Sequence, residues 1–138
     1  MNITVAIKGI QRMDGEAADS YVFAEGTLEH LPHATRLTYT EKGTDGEGDA
    51  VTVLTVSPKH VIIRRRGDTS SCLILKKGER RENPYHTPYG TFSLGVTAHR
   101  IDWETREHGG RLLLSYSLDM NGSPASENEL EITFKEVS

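Results

Sequence analysis

Arg65 is the residue of this chain whose setting most invites chemistry. It alternates with Val61 and Ile63, so all three share one face of an extended segment. If that face turns inward, the guanidinium loses water and requires a carboxylate nearby. Glu41 is the candidate partner, on a segment whose same face carries Leu37 and Tyr39. Tyr39, Tyr85 and Tyr116 add phenolic hydroxyls, and Thr87 adds another hydroxyl two residues from Tyr85. Two roles fit such a set. One is an internal polar plug that holds strand register. The other is a site in which Arg65 orients the carboxylate or phosphate of a small ligand.

The second charged feature is a basic band. Residues 58–81 carry eight Lys and Arg against two acids, a net of +6, while the segments on either side each sum to −5. The cations are Lys59, Arg64, Arg65, Arg66, Lys76, Lys77, Arg80 and Arg81. Such a strip attracts phosphate-bearing ligands, nucleic acid or an acidic protein partner. No aromatic residue lies between Lys59 and Arg81 to stack on a base, and the whole chain is acidic at −4. Nucleic acid is therefore the disfavoured partner. The plainer reading is a solvated face whose Lys and Arg blunt an exposed strand.

Other chemistries find little support. Asp45, Glu47 and Asp49 alternate in a glycine-rich loop, but a calcium loop would want glycine where Ala50 stands and glutamate where Val56 stands. A phosphate-cradling loop would lead into a helix, and none follows. Six histidines are scattered, and His30 and His33 are separated by Leu-Pro, so no metal site is expected. Cys72 is the single cysteine, in a setting that suits an inert, half-buried thiol, and it forms no internal disulfide. There is no G-x-S-x-G elbow and no carboxylate pair placed for acid–base work. The expectation is a binding protein without catalytic residues, cofactor or metal.

The elements that must position these residues are strands. Of 138 residues, 14 are Thr, 8 Val and 8 Ile, and 13 glycines cut the chain into short segments. Branching at Cβ suits a pleated sheet. Period-2 alternation marks Ile3–Ile7, Tyr21–Ala24, Leu37–Glu41, Ala50–Val56, His60–Arg66, Ser71–Leu75, Phe92–Ala98 and Leu112–Met120. Parity slips at Gly9 and again near His99–Arg100, and a β-bulge would reconcile each. His30–His33 reads as a loop and Gly109–Gly110 as a turn. Residues 126–137 match both a capped helix and a strand. Asn121-Gly122 is a hairpin signal and favours the strand. A two-residue loop there would set Leu114 against Glu129, so an odd loop or a bulge around Ser123–Ala125 is required to bring Leu130, Ile132 and Phe134 into phase.

Eight to ten strands with turns between them, and no βαβ rhythm, predict one all-β domain over residues 1–138. A closed antiparallel barrel hides its edges best. No run approaches the 18 apolar residues of a membrane span, and the first ten residues lack the pattern of a secretory signal, so a cytoplasmic protein without membrane contact is expected.

Several pieces are similar to a known family. They are Tyr39-Thr40-Glu41, Arg65-Arg66-Gly67, the Tyr85-His86-Thr87-Pro88-Tyr89-Gly90 segment, and Tyr116-Ser117-Leu118 followed by Ser126-Glu127-Asn128. In order and over nearly the whole chain they resemble the YwiB-like family of small bacterial proteins of unknown function. The resemblance implies a lipocalin-like (calycin-type) barrel in a soluble cytosolic protein. It implies no activity and transfers no catalytic residue. The function expected from the residues is non-catalytic binding of a small amphipathic or anionic ligand inside the barrel. The alternative is an interaction module built on the basic strip.

Overall fold

The computed structural model describes residues 1–43 and 48–137. The loop readings on residues 44–47, including Asp45 and Glu47, lie outside the described residues. Ten antiparallel strands close into one barrel: β1 (Asn2–Met13), β2 (Glu16–Leu31), β3 (Ala34–Glu41), β4 (Ala50–Val56), β5 (His60–Arg66), β6 (Ser70–Lys76), β7 (Arg80–Thr87), β8 (Gly90–Arg106), β9 (Gly109–Met120) and β10 (Ser123–Glu136). Each strand pairs with its neighbours in sequence, and β1 pairs with β10 to close the ring. No helix is long and apolar enough to cross a membrane.

The core follows from alternation. Ile3 and Val5 of β1, Leu37 of β3, Leu54 and Val56 of β4, Val61 of β5, Leu75 of β6, Val96 of β8, Leu112 and Leu114 of β9 and Ile132 of β10 are all at most 2% exposed. Trp103 stacks on Phe134 with ring centroids 5.5 Å apart.

Two of the expected irregularities are present. Register shifts between Ala98 and Arg100, so His99 is the extra residue of β8. In the last hairpin Met120 faces Ser123 across the two-residue turn, and the register then shifts between Pro124 and Ser126. That shift sets Leu130 against Leu114 and Ile132 against Leu112. The ambiguous C-terminal segment is strand throughout.

Other expectations are corrected. β1 keeps one register through Gly9 with both neighbours, so there is no bulge there. Gly9 holds the inward position itself, where a Cβ would come within 2.7 Å of Ser20 Oγ, and Ile10 simply faces outward. Gly109 and Gly110 belong to β9 and the turn falls at residues 107–108. Glycine is needed at 110 because a Cβ would press on the Phe134 ring and the Glu104 carbonyl. His30 and Leu31 are strand residues opposite Thr35 and Ala34, so only Pro32-His33 form the turn. The segment around Tyr21–Ala24 is part of a strand of 16 residues.

The seam between β6 and β7 is short. Ser70 faces His86 and Ser71 faces Tyr85, and there the pairing ends. The next pair would set Cys72 against Pro84, which has no N–H to donate, and the strands part.

Alternation gives a direct test. Leu112→Ala removes a fully buried side chain and is expected to cost about 3 kcal/mol. Leu113→Ala, on the outward phase of the same strand, should cost under about 1 kcal/mol. Urea denaturation of the two variants measures both, and equal losses would refute the assigned phase.

Candidate functional site: the polar end of the barrel interior

Register builds a row of polar residues across five strands. Tyr39 on β3 faces Thr52 on β4, Thr52 faces Arg65 on β5, Arg65 faces Ser71 on β6, and Ser71 faces Tyr85 on β7. All five lie on the phase that points inward, at the end of the barrel where β3 leaves for the loop. Farther along the same strands the inward residues become Leu37, Leu54, Ile63 and Leu73. The interior is thus divided into an apolar part and a polar part. Glu41, two residues beyond Tyr39, completes the set from β3.

Arg65 and Glu41 form the expected ion pair, with Arg65 Nη1 donating to Glu41 Oε1 at 3.3 Å. The pair sits at the mouth rather than in the core, with the side chains 42% and 25% exposed. The guanidinium uses one nitrogen for this contact, and its other donors have no partner among the described residues.

Tyr39 and Tyr116 are the buried phenols. Burial pushes both phenols up to about 12. Thr52, Glu41, Arg65 and Tyr116 all lie close enough to Tyr39 to act on its ionisation. Tyr116 on β9 therefore reaches the same space from the other wall. Its opposite residue on β10 is Asn128, whose amide donates to Ser126 Oγ at 2.9 Å.

Thr52 is one of two exceptions to the usual pairing of buried groups among the described residues, the other being Arg111 Nε on β9. Thr52 is 3% exposed, and its Oγ1 has no partner in hydrogen-bond geometry among the described residues. The Tyr39 phenol is its neighbour, and Thr52 acts on it as a hydrogen-bonding group that opposes the rise due to burial, although the two hydroxyls stand outside strict hydrogen-bond geometry. A buried hydroxyl left without a partner is uncommon.

Of the expected residues, Tyr85 belongs to this set and Thr87 stands apart from it. Tyr85 ends the polar row, half-buried. Thr87 donates its hydroxyl to Gly90 O at 2.9 Å and accepts from Tyr89 N at 3.1 Å, so it is engaged in the β7–β8 turn. Thr52, Ser71, Ser126 and Asn128 were missed by the sequence reading. Their signal was a polar residue in an inward phase, as Thr52 stands between Ala50 and Leu54.

Half of the basic strip is matched by acids. Arg80 forks onto Asp119, with Nη2 to Oδ1 at 2.6 Å and Nε to Oδ2 at 3.0 Å, and also reaches Glu82. Those guanidinium donors hold the Asp119 carboxyl below its usual range. Lys76 and Arg81 both pair with Glu79. Lys59, Arg64, Arg66 and Lys77 have no ion pair among the described residues. Arg64 and Arg66 project outward from β5 and line, with Arg36, a groove of about 380 Å³ over Val51, Val53 and Ile62. Among the described residues no group of three His, Cys, Asp or Glu is placed to hold a metal ion.

The phenols supply a measurable consequence. A phenol that ionises later in the folded chain than in the unfolded one stabilises the fold below pH 10. That contribution is lost as pH climbs from 10 through about 12, because the unfolded chain releases its protons first. Ultraviolet titration should therefore show two phenols ionising only near pH 12, with unfolding setting in over the same window. The Tyr39→Phe, Tyr116→Phe double variant should lack that step, and a wild-type titration complete by pH 11 would refute the burial.

Comparison with known proteins agrees with this architecture. No curated protein matches the chain. Among solved structures it is similar to the ywiB protein from Bacillus subtilis, at 20% identity and a TM-score of 0.87, over 99% of this chain and 92% of that one. That likeness shows the same barrel fold. The model of the domain of unknown function DUF1934 matches residues 5–132, and with nearly its whole length so matched the chain belongs to that family.

Proposed function

We propose that this protein is a non-catalytic binder of a small, compact anion, held at the polar end of the barrel with Arg65 as the orienting charge. The observation that carries the reading is the unpartnered Thr52 hydroxyl, buried between Tyr39 and Arg65. A ligand oxygen beside it would satisfy Thr52 and accept hydrogen bonds from the free donors of Arg65 and from the Tyr39 or Tyr116 phenol. Both phenols remain protonated until about pH 12, so at neutral pH they serve as donors and not as bases.

A compact ligand fits better than a long amphipathic one. The apolar part of the interior is filled by side chains at most 2% exposed. The five described cavities, of about 310 to 620 Å³, are each lined by neighbouring strands and none by opposite walls. None of these cavities is lined by Arg65, Tyr39 or Thr52, and a compact ligand would enter at the partly exposed Arg65–Glu41 pair.

Thr52→Val separates binding from stability. Replacing an unsatisfied buried hydroxyl with a methyl of the same shape should stabilise the free protein by on the order of 1 kcal/mol. The same change should weaken the ligand. Native mass spectrometry of protein purified from its own host reads the second effect. The wild type is expected to carry a small organic adduct that Thr52→Val and Arg65→Met lose while remaining folded. An adduct-free wild type whose melting temperature ignores a panel of carboxylates and phosphates would overturn the proposal. So would a Thr52→Val variant that is strongly destabilised, since the hydroxyl would then have a protein partner.

A further inference from the structure

We infer that the free edge of β2, from Glu16 to Glu25, is a docking edge for an extended, cationic segment of a partner protein. β2 pairs with β1 along its first half and beyond, but with β3 only from Gly26 to Leu31. The other side of residues 16–25 has no strand partner among the described residues. Ten residues at about 3.4 Å each make an edge of roughly 34 Å with backbone N–H and C=O groups open to pairing.

This edge is not blunted in the usual ways. It carries no Pro, no Lys and no bulge in its register with β1. Instead Tyr21 and Phe23 project from it, 63% and 64% exposed, on the outward phase. Where β2 and β3 part, a wedge of about 620 Å³ opens between Tyr21–Glu25 and Thr40–Lys42. A strand added here would lie in line with β3, beyond the point where β3 ends.

Charge decides which strand. Glu16, Asp19 and Glu25 are the only charged residues of the stretch. None of the three has an ion pair among the described residues. A second copy of this chain would bring two such edges together, carboxylates against carboxylates, so self-pairing is opposed. A segment bearing Lys or Arg is favoured by the same groups. Asp19, Tyr21, Phe23 and Glu25 share the outward phase, so an incoming strand whose facing side reads cation, apolar, apolar, cation would meet all four.

The test is amide hydrogen exchange with three ten-residue probes: a Lys–Val peptide with Thr at alternate positions and Lys, Val, Val, Lys in order on the other face, the same peptide with Glu in place of Lys, and the Lys–Val peptide with a central Pro. The Lys–Val peptide is expected to slow exchange within residues 16–25 at least tenfold, and the other two to leave it unchanged. A Tyr21→Ser, Phe23→Ser variant should lose the protection, whereas Arg65→Met should keep it, which separates this edge from the barrel mouth. No protection by the Lys–Val peptide, or protection spread over other acidic surfaces, would overturn the inference. A dimer in sedimentation with residues 16–25 already protected would overturn it in favour of a second copy.

Discussion

Closure of β1 onto β10 is the interaction on which the rest of this structure depends. Ten residue pairs, from Ile3 opposite Glu136 to Arg12 opposite Glu127, join the two ends of the chain. They make an inside out of what would otherwise be one face of a twisted sheet. Only with that closure do Val5 and Phe134 lie opposite one another in the core, and only then can Tyr116 on β9 face Tyr39 on β3. The bulge at His99 and the register shift after Pro124 serve the same end. The first keeps Val96 and Ala98 inward before it and Ile101 and Trp103 packed on the core after it, and the second brings Leu130 and Ile132 into phase with Leu114 and Leu112.

Within the closed ring, the same register that packs the core also collects the polar groups. Antiparallel pairing places residues of one phase in lateral rows. One row runs through Leu37, Leu54, Ile63 and Leu73. Two residues along, the row becomes Tyr39, Thr52, Arg65 and Ser71. A polar residue at such a position costs stability unless it is satisfied. Glu41 engages one nitrogen of Arg65 and leaves its other donors free, while Asn128 donates to Ser126. Thr52 Oγ1 has no such bond, and a group that weakens the fold without a partner in it is most simply understood through a partner outside it.

Much of this was legible in the residues. Alternation located the strands from Leu37 to Leu75 closely, because their inward positions are bulky and their turns are marked by Pro or Gly. The Arg65–Glu41 pair followed from phase alone, since both share faces with buried apolar neighbours. Parity counting required an extra residue in the last hairpin, and Ala125 lies within the shift. Parity failed at Gly9, where an inward residue has no side chain to reveal its phase. It failed again over residues 11–20, which are all exposed, so that the long β1–β2 hairpin shows no alternation. Gly109 and Gly110 resembled a turn, but they are glycines for the sake of Phe134 and the adjoining backbone, a contact between distant strands that local sequence cannot express.

The account rests on the polar end of the barrel being a binding site rather than an internal plug. A high-resolution crystal structure of protein purified from its own host tests this most directly. The account predicts density for a small anion within hydrogen-bond distance of Thr52 Oγ1 and the free nitrogens of Arg65, with the apolar row at Leu37 and Leu54 undisturbed. A structure in which Tyr39 turns to satisfy Thr52 and Arg65 is closed over by carboxylates, leaving no room at the mouth, would contradict it.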